Sequence, residues 1–147
     1  MSGIRAYALV LLALALGCSD AGTTQPPNVV VFLTDDQGYG DVGAFGATDI
    51  PTPNFDRLAA DGLRLTSFYS APTCTPSRAM LMTGSYGQRV SAPPAYYPWD
   101  DTGLSPDEIT MAEVLRERGY ATGLVGKWHL GHRPPFLPTR QGFDEYF

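Results

Sequence analysis

The stretch NVVVFLTDDQG, residues 28–38, joins an unbroken apolar run to two adjacent carboxylates. A segment apolar at nearly every position has no solvent face, so Asn28–Thr34 reads as a strand covered on both sides, as in a parallel sheet. Pro26 and Pro27 bound it on one side and Gly38 on the other. Further along, Thr52 is placed to cap a helix with Pro53 at its first position. Phe55, Leu58 and Ala59 give that helix one apolar stripe, and Gly62 ends it. Leu63–Ser70, LRLTSFYS, alternates apolar and polar residues and predicts a second strand.

A helix is expected to start just after Cys74, with Pro76 in its first turn and Ala79, Met80, Leu81 and Met82 packing in its body. Gly87–Gly103, which contains SAPPAYYPWD, reads as an ordered surface loop. Thr110 and Glu113 have the spacing of a capping box. Met111, Val114 and Leu115 then share a face, and Gly119 closes the helix. Tyr120–Val125 predicts a third strand running into GKWHLGH. Strand and helix alternate, so the expected fold class is α/β: an open, largely parallel sheet with helices on both sides.

The 147 residues suffice for one modest domain with a core. Apolar residues make up 44% and charged residues 17%, a globular balance, and 16 glycines with 13 prolines imply much turning backbone. The net charge is −5 and Lys127 is the one lysine, so the basic face of a nucleic-acid binder is missing. Arg5 and the apolar stretch Ala6–Leu16, too short for a comfortable membrane span, read as an export signal. Residues 1–17 are assigned to that signal, 18–27 to a linker and 28–147 to the N-terminal part of a catalytic domain. ALGC resembles a lipoprotein cleavage box that would lipidate Cys18. Ala15 stands where that box more often has leucine, which leaves an ordinary secretory signal open. Either way the protein is expected to be exported, to the periplasm or cell surface if anchored through Cys18 and otherwise secreted. The two cysteines could in principle pair, but Cys18 sits at the signal boundary, so a buried thiol is the plainer reading of Cys74.

In open parallel sheets, ligands gather beyond the carboxyl ends of strands. Asp35-Asp36 follows the first expected strand, Cys74–Arg78 lies past the second and Lys127-Trp128-His129 follows the third. The acidic pair serves equally as a turn or as a hard-cation site for Ca²⁺ or Mg²⁺. Asp41 reads as a turn residue. Cys74 at a helix start, with Arg78 one turn on, would stabilise an anionic nucleophile and frame an oxyanion such as sulfate or phosphate. A soft thiolate is poorly matched to a hard divalent ion. The two clusters work together only if the reacting atom at position 74 is oxygen.

Cys74-Thr75-Pro76-Ser77-Arg78 resembles the Cys-x-Pro-Ser-Arg signature of the type I sulfatases, a family related to the alkaline phosphatases, in which the cysteine becomes formylglycine. The likeness extends through NVVVFLTDDQGYGD, IPTPNFDRLAADGLRLTSFYS, GYATGLVGKWHLG and GFDEYF, in family order. It implies a sulfuric ester hydrolase of arylsulfatase type, acting on sugar or aryl sulfates and matured by a formylglycine-generating enzyme. Asp35, Asp36 and the oxidised Cys74 would be metal ligands, most simply for Ca²⁺. The hydrated aldehyde would attack sulfur with one hydroxyl and expel sulfate by deprotonation of the other. Arg78 would hold that diol, Lys127 would contact it and the sulfate, and His129 would bond the second hydroxyl. His132 is read as a loop residue, Trp128 as packing, and Thr75 and Ser77 as parts of the modification motif.

Family domains are several times longer, and the resemblance places two further metal ligands, another histidine and another lysine after Phe147. The chain as given is therefore expected to hold about three strands, to bind its cation weakly and to be inactive or poorly folded by itself. A phosphonate or phosphate ester hydrolase of the same superfamily, and a non-catalytic exported lipoprotein fragment, are the alternative readings.

Overall fold

The computed structural model describes residues 25–147. The expected signal, Cys18 and most of the linker lie outside the described residues. The chain divides into two compact units, Met1–Thr34 and Asp35–Phe147.

The described part of the first unit, residues 25–34, contains neither helix nor strand. Val29, Val30, Val31, Phe32 and Leu33 are all exposed, from 43% to 80%. This departs from the strand expected over Asn28–Thr34. An apolar run states what environment a strand would need, but a strand exists only where a neighbour pairs with its backbone, and among the described residues none does.

The second unit holds three α-helices among the described residues, α1 (Pro53–Asp61), α2 (Cys74–Thr83) and α3 (Met111–Glu117). Two short strands accompany them, β1 (Gly123–Leu124) and β2 (Glu145–Tyr146). Helix α1 starts at Pro53 as expected, but the Thr52 hydroxyl does not cap it. That hydroxyl instead accepts from Gly43 N–H at 2.8 Å and donates to Asp56 at 3.1 Å, tying α1 to the 3₁₀ turn Gly43–Phe45. The anticipated apolar stripe is not buried, with Phe55 43% and Leu58 65% exposed. Leu63–Ser70 forms no strand either, and Leu63, Leu65, Phe68 and Tyr69 are exposed. Alternation specifies one buried face only if another layer lies against it.

Helix α2 begins one residue earlier than expected, at Cys74, after the extended Thr73, and stops at Gly84 in the left-handed region. Its inward face is Thr75, Arg78 and Ala79. Helix α3 has both halves of the capping box: Glu113 N–H donates to Thr110 Oγ1 at 3.2 Å, and Thr110 N–H to Glu113 Oε2 at 2.8 Å. Its buried residue is Ala112, while Val114, expected inside, is 41% exposed. Gly142 explains this choice of face. With φ +95°, it brings its backbone so close that a Cβ would lie 2.4 Å from Glu113 N and 2.8 Å from the Ala112 carbonyl carbon.

Strands β1 and β2 pair in parallel, Gly123 with Glu145 and Leu124 with Tyr146. Parallel neighbours need a long crossover, and here that crossover is the segment carrying Lys127-Trp128-His129. The Asp144 carboxylate accepts from Thr122 N–H at 2.9 Å, bracing the start of the pairing. The core consists of Ala79, Val90, Leu104, Trp128 and Leu130, with Met82, Ala92, Leu124 and Phe143 against it. Trp128 meets Phe143 edge-on at 6.0 Å and donates from Nε1 to the Phe136 carbonyl at 2.8 Å, confirming it as packing. Among the described residues no helix is long and apolar enough to cross a membrane.

Candidate active site

Three segments meet around Cys74. The N-terminal half of α2 supplies Cys74, Thr75 and Arg78, the loop after β1 supplies Lys127 and His129, and Asp35-Asp36 opens the second unit. Their buried underside is the core, since Ala79 of α2 packs beside Trp128 and Leu130. Packing therefore fixes how the helix start and the crossover face each other.

Lys127 Nζ lies 2.9 and 3.1 Å from the two carboxylate oxygens of Asp35 and 3.3 Å from Cys74 Sγ. Arg78 donates to the same Asp35 carboxylate at 3.3 Å and to the Lys127 carbonyl. The Lys127 ammonium, and behind it the Arg78 guanidinium, hold the Asp35 carboxyl below the usual carboxylate range. Reciprocally, Asp35 and then Cys74 push the Lys127 ammonium up. Arg78 is nearly buried, with Nε unpartnered inside the protein. Unpartnered buried N–H groups are uncommon in folded proteins.

Asp35, Asp36 and Cys74 each offer a ligand atom, and these atoms all lie within 4.8 Å of one another. Oxygen ligands about 2.3–2.6 Å from one ion stand up to roughly 5 Å apart, so the spacing fits a hard cation. The carboxylates suit such an ion, whereas the Cys74 sulfur suits it poorly and an oxygen there would suit it well. Asp36 (φ 56°) and His129 (φ 57°) both adopt left-handed backbone. Such conformations in non-glycine residues cost energy and cluster where side chains must be aimed.

His129 is held from two sides. Its Nε2 lies 2.8 Å from the Tyr96 carbonyl, and its own carbonyl accepts from Thr75 Oγ1 at 3.2 Å. The Thr75 hydroxyl accepts in turn from Tyr96 N–H at 3.2 Å. A carbonyl can only accept, so Nε2 carries the hydrogen and neutral His129 has a bare lone pair on Nδ1, which is buried without a protein partner. His132 is exposed, and Ser77 bonds the Thr73 carbonyl at 2.8 Å. Asp41 closes a turn by accepting from Gly38 N–H at 2.7 Å. Cys74 is a free thiol.

The site thus brings Asp35, Asp36, Cys74, Arg78 and Lys127 together, with His129 oriented through Tyr96 and Thr75. Sequence reasoning assigned Thr75 to the motif but missed its bridging role, and it missed Tyr96 altogether. The one available signal was the aromatic, proline-rich loop, which says nothing of where a backbone carbonyl points.

A family model described as Sulfatase matches residues 27–147. N-acetylgalactosamine-6-sulfatase of Canis lupus familiaris is 47% identical over 150 residues, covering 96% of this chain and 29% of that protein. Arylsulfatase A of Homo sapiens is 50% identical over 141 residues, covering 93% of this chain and 27% of that protein. Among solved structures, the PsFucS1 sulfatase from Pseudoalteromonas sp. superposes with a TM-score of 0.77 at 39% identity, covering 99% of this chain and 30% of that one. The fold is thereby an α/β sulfatase fold, of which the β1–β2 pairing is the parallel element among the described residues. This chain belongs to the sulfatase family. It spans under a third of the length of each of these relatives.

Proposed function

We propose that the whole protein hydrolyses sulfate esters, with Cys74 as the residue converted to formylglycine and Asp35 and Asp36 as ligands of a Ca²⁺ ion, Mg²⁺ being the alternative. The observation that carries this reading is the contact of Lys127 with both Cys74 and Asp35, reinforced by Arg78 on the same carboxylate. Family membership and the names of the relatives support sulfate over phosphate as the ester. They equally disfavour a non-catalytic fragment. Because a relative acts as an N-acetylgalactosamine-6-sulfatase, a sulfated sugar is the favoured substrate over a simple aryl sulfate.

Cys74 Cβ would become the aldehyde carbon and its sulfur marks the place of an oxygen; the hydrate would supply two hydroxyls on that one carbon, one to bond sulfur and one to drive release. A bound divalent cation supplies charge neutralisation for the sulfate and acidifies the hydrate. Lys127, within hydrogen-bond distance of residue 74, is placed to meet the non-bridging sulfate oxygens. Arg78, whose Nη2 reaches Asp35 at 3.3 Å, adds a fixed positive charge to the same anionic region. His129, fixed by Tyr96 as the Nε2–H tautomer, presents Nδ1 as the acceptor for the proton lost on sulfate release. Export through residues 1–17, anchoring through Cys18 and maturation by a formylglycine-generating enzyme complete the proposal, supported by the N-terminal composition and the CTPSR motif.

The test has two arms. Mass spectrometry of the tryptic peptide Leu65–Arg78, from cells that mature sulfatases, should show the aldehyde in place of the thiol. Parallel assays on matched sulfate and phosphate esters should show turnover of the sulfate. An unmodified thiol, or turnover of the phosphorus ester alone, would refute the reading.

A further inference from the structure

The loop that holds His129 also carries two exposed aromatics with no part in the arrangement described above. Tyr97 and Trp99 stack at 4.9 Å with ring planes 7° apart, and they are 51% and 74% exposed. Single exposed aromatics are ordinary on protein surfaces. A parallel pair standing in water on a pinned turn is less so. Tyr97 N–H donates to Asp100 Oδ2 at 2.7 Å, and Asp100 N–H returns to the Tyr97 carbonyl at 2.9 Å. On one flank, Tyr96 bonds Thr75 and His129. On the other, Asp101 receives Arg133 Nε at 2.8 Å. Arg133 lies four residues beyond His129 in the sequence, so both flanks of the turn are tied to the segments that build the site.

We propose that Tyr97 and Trp99 form a stacking platform for the leaving-group side of the substrate, and that its ligand is a pyranose ring bearing the sulfate. This rests on the sulfate-ester reading and specifies its substrate class. The C–H face of a pyranose is apolar while its rim is hydroxylated, which matches an aromatic surface edged by carboxylates. Asp100 can accept a hydroxyl hydrogen at the edge of the rings, and Asp101 holds Arg133 beside it. The turn is already ordered, so little freedom is lost when the ring docks.

Trp99 is 74% exposed, so the acrylamide-quenched emission that is present in the parent and missing in Trp99→Ala reports on Trp99. With the whole protein, galactose 6-sulfate should shield Trp99 from acrylamide, and inorganic sulfate should bind without shielding it. Trp99→Ala should weaken galactose 6-sulfate binding about tenfold, the size of one lost aromatic contact, and leave the Kd of inorganic sulfate unchanged. Equal galactose 6-sulfate affinity in Trp99→Ala, or shielding by 4-nitrophenyl sulfate alone, overturns the platform while the sulfate-ester reading stands. Failure of both galactose 6-sulfate and inorganic sulfate to bind overturns that reading, and the platform with it.

Discussion

Replacing Thr75 by valine probes the link between the motif helix and His129. Thr75 is 0% exposed, and valine keeps its branched shape, so no cavity opens. What disappears is one hydroxyl that accepts from Tyr96 N–H and donates to the His129 carbonyl, both at 3.2 Å. Each buried group left without a partner costs about 1–3 kcal/mol. Bonds of this length lie toward the weaker end, so the pair should cost about 2–3 kcal/mol. Urea unfolding followed by tryptophan fluorescence is the assay, and the midpoint should fall by about 1–2 M for an ordinary urea slope. Thr75→Ser is the control: it keeps the hydroxyl, loses one methyl and should cost about 1 kcal/mol. If valine were tolerated as well as serine, or within about 0.5 kcal/mol of the parent, the hydroxyl bridge would not be what holds this junction.

Gly142→Ala should destabilise by more than about 1 kcal/mol, because φ is +95° and the new methyl would press on Glu113 N; thermal unfolding reads the loss, and an unchanged Tm would contradict the close approach. Lys127→Met removes the main cause of the lowered Asp35 pKa, so carboxyl-carbon NMR should show Asp35 titrating nearer the ordinary carboxylate value. The sign for stability follows. A depressed carboxyl contributes stability above its unfolded pKa and loses it as pH falls through the folded one. The parent should thus lose this contribution only in acid below the normal carboxylate range, whereas Lys127→Met should have less of it to lose. Asp36→Asn removes a charged ligand and should weaken Ca²⁺ binding by roughly tenfold or more in calorimetry; unaltered affinity would remove Asp36 from the ligand set.

Helix starts were legible because their chemistry is local. Thr110 and Glu113 answer each other within one turn, and α2 begins where Cys74-Thr75-Pro76 allows it. The strands were not. Asn28–Thr34 and Leu63–Ser70 have the composition of covered strands, yet among the described residues only Gly123–Leu124 pairs, and it pairs with Glu145–Tyr146 across an intervening crossover. Periodicity likewise marked Phe55, Leu58 and Val114 as inward, but whether an apolar face is covered depends on what packs against it. For the site, CTPSR, the acidic pair and GKWHLG were recognisable together, while the orienting parts, Thr75 and the Tyr96 carbonyl, carried no motif.

The linear order of residues by itself determined the chemical inventory: one lysine, an acidic pair, a cysteine at a helix start and an arginine one turn along. These follow from composition and from hydrogen bonds spanning a few residues. Only the folded chain decided that this lysine meets an aspartate 92 positions away and a cysteine 53 positions away. Only there does a tyrosine carbonyl settle which nitrogen of His129 is free. The reason is that such contacts are set by how Ala79, Trp128 and Leu130 pack beneath them, and packing is a property of surfaces in three dimensions rather than of spacing along the chain.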